Sequence, residues 1–227
     1  MKTSILTILA YFIMCGVSYA SDVYITQSGA TLTANINQDG QTNRFGDSTT
    51  AVTLTGDTQT LDIDQIGNTN TIATSLIGAI QEFTLRQAGN SNTSTVSVGS
   101  NSAAGDNSII ETLTGSSNTT TVNVGNSAAS GDADIDLTAT GDSNTITINE
   151  NSTASMVGSD KKITSITAIG SSNTITSTHT GAADQDTTLH HTGASSTFAI
   201  TQGGAYDGTT SITTVGSGHN VTVTMDD

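Results

Sequence analysis

Two interleaved series of glycines govern what this chain can fold into. The first runs Gly40, Gly67, Gly89, Gly115, Gly141, Gly170, Gly193 and Gly216, at intervals of 22 to 29 residues. The second runs Gly29, Gly56, Gly78, Gly105, Gly131, Gly158, Gly181 and Gly204, and alternates with the first without exception. Together they take 16 of the 23 glycines, so glycine marks positions here and is not filler. Three residues after each first-series glycine stand Asn43, Asn70, Asn92, Asn118, Asn144 and Asn173, then Ser196 and His219. From a second-series glycine to the next first-series one is 10 to 12 residues; the return stretch is 11, 16 or 17, so the inserts all fall on one side. Each unit therefore has two turns and two short segments. At the turns, the positive φ open to glycine is expected to be used.

The segments read as strands. Four residues before a turn glycine stand Ile25, Ile36, Ile63, Leu85, Glu111, Leu137, Ile166, Leu189 and Ile212, apolar at every place but one. Five residues after the first-series glycine stand Phe45, Ile72, Ser94, Thr120, Ile146, Ile175, Phe198 and Val221. Around these the pattern alternates with period two, as in Ile146-Thr147-Ile148, which places one face inward and one outward. The chain has no proline, which would remove a ladder hydrogen bond. Hydrophobic residues make up only 33% of it, too few for a broad globular core. The expectation is an all-β fold, a β-solenoid of about eight two-strand coils with stacked Gly/Asn turn columns. Equivalent strands would lie about 4.8 Å apart. The aligned asparagines could then form an amide ladder, each side chain donating to the next. A β-sandwich would also show many short strands, but would not need like residues at like offsets in every unit.

Residues 1–20 have the pattern of a secretory signal: Lys2, an apolar run from Ile5 to Val17, and Ser18-Tyr19-Ala20 as the cleavage motif. The repeat domain is then 21–227, and the product is expected to be secreted. Cys15 is the only cysteine and lies in the leader, so the domain has no thiol chemistry. The net charge of −15 argues against nucleic acid and anionic membranes as partners. No phosphate loop, zinc cluster or nucleotide fingerprint occurs, and the reading is a non-enzyme with no cofactor and no metal. His190 and His191 are adjacent on a strand, so they point to opposite faces and cannot readily share a metal; outward placement is the plain expectation for them. Lys161-Lys162 falls in an insert and reads as a solvated loop tip. Asp132, Asp134 and Asp136 offer hard oxygen ligands of the type calcium takes, but the Gly-Gly-x-Gly-x-Asp repeat of calcium-binding solenoids is absent.

The repeat frame resembles that of curlin, the subunit of bacterial curli fibres. Gln27, Gly29, Ala34 and Gln38 match that family's pattern; Gln38, Gly40 and Asn43 restart it. Gln65, Gly67, Asn70 and Ile72 repeat it, as do Gln87, Gly89 and Asn92. Beyond Gln87 the glutamine position becomes Leu113, Ala139, Ala168, His191 and Thr214. The resemblance implies a β-solenoid amyloid outside a Gram-negative cell, used for adhesion and biofilm matrix. It implies self-assembly into a homopolymer, with related subunits and a secretion pore as further partners and no membrane insertion. Repeats reach from near the expected cleavage site to the last residues, and open strand edges are templates for pairing.

A second reading rests on Thr93/Thr95, Thr119/Thr121, Thr145/Thr147 and Thr174/Thr176, with Thr71 and Thr197 extending the first column. On a solenoid these would form a flat outward Thr-x-Thr array, similar to the faces of ice-binding proteins.

Overall fold

The computed structural model describes residues 5–13, 20–78, 80–99, 107–125, 133–151, 161–181, 184–204 and 208–226. The regular structure among them is β-strand throughout, and the strands pair in parallel. Sheet 1 stacks Ile5–Ile13, Thr31–Asp39, Thr58–Ile66, Ile80–Ala88, Asn107–Thr114, Ala133–Thr140, Lys161–Ile169, Asp184–Thr192 and Gly208–Val215 in that order. Sheet 2 stacks Ala20–Val23, Thr42–Phe45, Thr69–Ile77, Ser91–Val98, Ser117–Val124, Ser143–Asn151, Thr174–Thr180, Thr197–Gly203 and Asn220–Asp226. Two short strands, Thr26–Ser28 and Val52–Thr55, continue sheet 2 at its N-terminal end. The chain passes from one sheet to the other and back, so one strand of each makes a coil. The molecule is a β-solenoid of about eight two-strand coils, as the glycine series implies.

Period-two alternation decides which face each residue takes. In Ser117–Val124 the inward residues are Asn118, Thr120, Val122 and Val124, and the outward ones are Ser117, Thr119, Thr121 and Asn123. Parallel sheets usually read as continuous apolar runs because helices cover both faces. Among the described residues no helix covers the outside, so the outward positions are mostly polar, with Ile80, Ile110 and Ile163 as exposed exceptions, and the two inner faces pack on each other. One continuous core results, from Leu32, Ile36 and Phe45 through Leu85, Val122 and Ile148 to Phe198 and Ile200.

The turn glycines serve two purposes, the expected positive φ at some positions and space at others. In the first series only Gly170, Gly193 and Gly216 adopt a positive φ, of 136 to 152°, among the described residues. At Gly67, Gly89, Gly115 and Gly141 the requirement is space. A Cβ built on Gly89 would overlap the carbonyl oxygen of Gly67 in the preceding coil, and the same holds along the column. In-register stacking brings the turn backbones too close for any side chain. Gly105, Gly131 and Gly158 of the second series lie outside the described residues.

At the N-terminal end, Ile5–Ile13 runs along Thr31–Asp39 in unbroken register, from Ile5↔Thr31 to Ile13↔Asp39. The segment expected to be a secretory leader thus occupies the first edge of sheet 1 in the full chain. Residues 14–19, which hold most of the expected cleavage motif, lie outside the described residues.

A Gly89→Ala substitution should therefore destabilise the fold by about 1–3 kcal/mol, the usual cost of overpacking a site that cannot relax. The midpoint of denaturant unfolding would report it. Gly218→Ala, where an added Cβ meets nothing nearer than 3.5 Å, should cost less despite its φ of 76°.

Candidate functional site

The inward turn position becomes a continuous hydrogen-bonded column. Asn43 Nδ2 donates to Asn70 Oδ1 at 3.1 Å, Asn70 to Asn92 at 2.9 Å, and Asn92 to Asn118 at 2.8 Å. Asn118 donates to Asn144 at 2.7 Å and Asn144 to Asn173 at 2.8 Å. Each Nδ2 also reaches a main-chain carbonyl one coil on, as Asn43 to Ile66 and Asn92 to Thr114, both at 2.9 Å. Both amide hydrogens are thereby used inside the protein, which is what a fully buried amide requires. At Asn173 the column changes chemistry. Its main-chain N–H donates to Ser196 Oγ at 3.1 Å, and its Nδ2 lies 2.8 Å from His191 Nε2.

Gln38, Gln65 and Gln87 form a second column, and it runs the other way. Gln65 Nε2 donates back to Gln38 Oε1 at 2.6 Å, and Gln87 back to Gln65 at 2.8 Å. Gln27 does not join it: it lies inward in sheet 2, in register with Leu54. Gln59 and Gln81, unremarked in the sequence, also stack in register inside sheet 1.

The polar exceptions in the apolar columns prove to be one exception. Glu111 interrupts the series Leu85, Leu137, and Ser94 and Thr120 interrupt the series Ile72, Ile146. In the fold the three meet: Ser94 Oγ donates to Glu111 Oε1 at 3.0 Å and Thr120 Oγ1 to Oε2 at 2.6 Å. Burial still dominates and pushes the Glu111 carboxyl up to about 7, against the pull of those two hydroxyls.

A larger polar cluster fills the interior further along. Glu150 Oε2 lies 3.0 Å from His179 Nδ1, and Thr164 Oγ1 donates to Glu150 Oε1 at 2.7 Å. His179 Nε2 lies 2.7 Å from Ser177 Oγ and 3.0 Å from Thr187 Oγ1. Lys162 is buried beside this group. Burial pulls its ammonium below the ordinary value, and the Glu150 carboxylate opposes the shift. This corrects the loop-tip expectation: Lys162 occupies an inward place on Lys161–Ile169, in register with Ala133 and Gln185. His190 is outward as expected, but His191 is buried, its ring 5.0 Å from that of Phe198 and 4.9 Å from that of His219. Burial lowers the His191 pKa below the ordinary imidazole value. The sequence did hold a signal for these residues. Counting by twos from Asn144 gives Ile146, Ile148 and Glu150 as inward, and from Asn173 gives Ile175, Ser177 and His179.

On the outside of sheet 2, Thr93, Thr119, Thr145, Thr174 and Thr197 share one register column. Thr95, Thr121, Thr147 and Thr176 share the next. Thr71 heads the first column in register with Thr93. At its N-terminal end this face meets the turn that follows Phe45, where Asp47 accepts from the main-chain N–H of Thr49 and Thr50 and from the Tyr24 hydroxyl. Asp134 and Asp136 are exposed on the other sheet; Asp132 lies outside the described residues. No group of three His, Cys, Asp or Glu side chains arranged to hold a metal ion occurs among the described residues.

The C-terminal coil is open. Val221, Val223 and Met225 stand at inward positions, in register with Phe198, Ile200 and Gln202, yet are 45, 42 and 53% exposed. Nothing covers the far side of Asn220–Asp226 among the described residues. Comparison of the chain with protein-family models, with curated proteins and with solved structures finds no match.

The Glu111 carboxyl gives a signed pH effect. Its pKa rises on folding from 4.5 to about 7, so the folded state holds the proton more tightly. Stability from this group is full below about pH 4.5, falls as pH rises through 7, and is lost above that. The difference amounts to about 3 kcal/mol. Glu111→Gln should flatten the fall in unfolding midpoint between pH 5 and pH 8 relative to the unaltered chain, as read by denaturation at the two pH values.

Proposed function

We propose that the protein is a secreted structural subunit that assembles end to end into an extracellular fibre of the curlin type, serving adhesion and biofilm matrix. The observation that carries this reading is the bare C-terminal coil. Its strands Gly208–Val215 and Asn220–Asp226 end their sheets, and its inward Val221, Val223 and Met225 are exposed to solvent. Such an edge is a template for a further strand, and a second copy has strands of the same length, pitch and face pattern to offer. At the other end, removal of a leader after Ala20 takes Ile5–Ile13 off Thr31–Asp39 and bares a matching edge. The resemblance in the Gln27 to Asn92 region points to the same class of assembly, and the continuous Asn column gives it a direction. With a net charge of −15, lateral contacts between fibres are opposed, while growth along the axis adds one coil to the next.

A second reading has its own observation: the two threonine columns of sheet 2. They set hydroxyl and methyl groups on a flat mesh of about 4.8 Å along the axis by about 6.6 Å along the strand. A regular mesh of that kind on one face suits the ordering of surface water, as in ice-binding solenoids.

Electron microscopy and fibre diffraction of the chain from Ser21 onward should show unbranched fibres with a meridional spacing of about 4.8 Å. Val223→Lys should leave the fold intact and suppress elongation, because the charge would be buried at the junction. A monodisperse monomer that forms no fibres, or a Val223→Lys variant that elongates at the normal rate, would overturn the fibre reading. Thermal hysteresis and faceted ice crystals from such a monomer, lost in Thr121→Lys, would decide for the second.

A further inference from the structure

Four buried side chains and one half-buried threonine near the C-terminal end bring a hydroxyl and an amide of this chain under a relay of hydrolase type. Glu150 Oε2 lies 3.0 Å from His179 Nδ1. In the tautomer that donates Nδ1–H to Glu150, the lone pair lies on Nε2. Thr187 Oγ1 is 3.0 Å from Nε2. Gln202 Nε2 donates to the same Thr187 oxygen at 3.1 Å and to the Gln185 carbonyl at 3.2 Å, so the carboxamide lies against the hydroxyl and a turn about its Cγ–Cδ bond offers the face of its carbon to that oxygen. Thr210 Oγ1 donates to Gln202 Oε1 at 2.8 Å, where negative charge would gather if that carbon were attacked. Glu150, His179, Thr187 and Gln202 are all buried. Ser177 Oγ shares the His179 lone pair at 2.7 Å, but the hydroxyl in contact with the amide is that of Thr187.

We propose that Thr187 and Gln202 become joined by an intramolecular ester bond. The Thr187 hydroxyl gives its proton to His179 Nε2 as its oxygen attacks Gln202 Cδ. The tetrahedral oxyanion is held by Thr210, and the imidazolium by Glu150. As the Cδ–Nε2 bond of Gln202 breaks, His179 returns the proton to the departing nitrogen, which leaves as ammonia. One C–O bond replaces one C–N bond, nothing is oxidised or reduced, and no co-reactant is needed. Escape of ammonia drives the step forward, and the buried site keeps water from hydrolysing the ester. The product ties sheet 1 to sheet 2 across the interior of a single coil, between residues 15 apart in sequence.

The test is the mass of the purified folded chain, leader removed. It should be lower than the sequence mass by one ammonia, in unaltered chain and in Ser177→Ala, but not in Thr187→Val. Chymotryptic cleavage after Phe198 should leave the two halves of this coil joined, and hydroxylamine should part them. A folded chain at full sequence mass overturns the proposal. So does an ammonia loss that persists in Thr187→Val, or one abolished by Ser177→Ala.

Discussion

A parallel in-register ladder sets every side chain against its equivalents about 4.8 Å away on either side. The whole molecule answers to that constraint. For an amide, an equivalent neighbour is a partner, because one group can donate and accept at once; the Asn column exploits this over six coils. For a carboxylate, an equivalent neighbour is a repulsion. Accordingly, among the described strands no acid stacks on an acid. Glu111 lies between Leu85 and Leu137, and Glu150 between Val124 and His179. On the outside, Asp64 stacks on Arg86 with a 2.8 Å ion pair, and Asp134 is separated from Asp186 by Ile163. A chain with four times as many acids as bases keeps its charge dispersed along the axis, which is compatible with stacking, and directs its repulsion outward.

The two amide columns illustrate how much of the order is cooperative. The Asn column donates towards the C-terminus and the Gln column towards the N-terminus, so their dipoles oppose. Each column is satisfied only in its interior. Its ends leave an acceptor or donor that the next coil must meet: among the described side chains, Asn43 Oδ1 and Gln87 Oε1 are buried without a partner. An unsatisfied buried polar group costs about 1–3 kcal/mol, so the columns favour continuation and penalise interruption. Interruption does occur after Asn173, and there the sequence changes several residues together: Ser196, His191 and His219 replace the amides.

Sequence periodicity was enough to place the coils, the inward asparagines and the outward threonines, because each depends on parity within one strand. Beyond the amide ladder, it was not enough for contacts between different columns of neighbouring coils. Glu111, Ser94 and Thr120 each look like a defect in its own column; only the stacking makes them a hydrogen-bonded set. Lys162 follows an insert of different length from its neighbours, so its parity could not be counted from the preceding turn. Gln27 follows the repeat pattern but sits in the other sheet, since a short periodic motif fits both strands of a coil. The glycines were legible as positions, yet their cause was not: positive φ is a property of one residue, whereas the overlap of a Gly89 Cβ with the Gly67 oxygen exists only once coils are stacked.

A solenoid has no closed core, and its last coil is held on one side only. Stability per coil therefore falls towards the open end, where Val221, Val223 and Met225 lack cover. The coil formed by Asp184–Thr192 and Thr197–Gly203 is the first beyond Asn173, and so the first after the six stacked asparagines to lack that amide. It is also the coil that holds Thr187 and Gln202. A covalent tie between its two strands would act one coil from the open end, and it would act within the coil, leaving the edge strands free to accept the next subunit. Cross-linking the interior and leaving the rim unpaired are thus compatible demands: the first fixes the shape of the coil on which the open one rests, and the second depends on that shape being ready when a partner arrives.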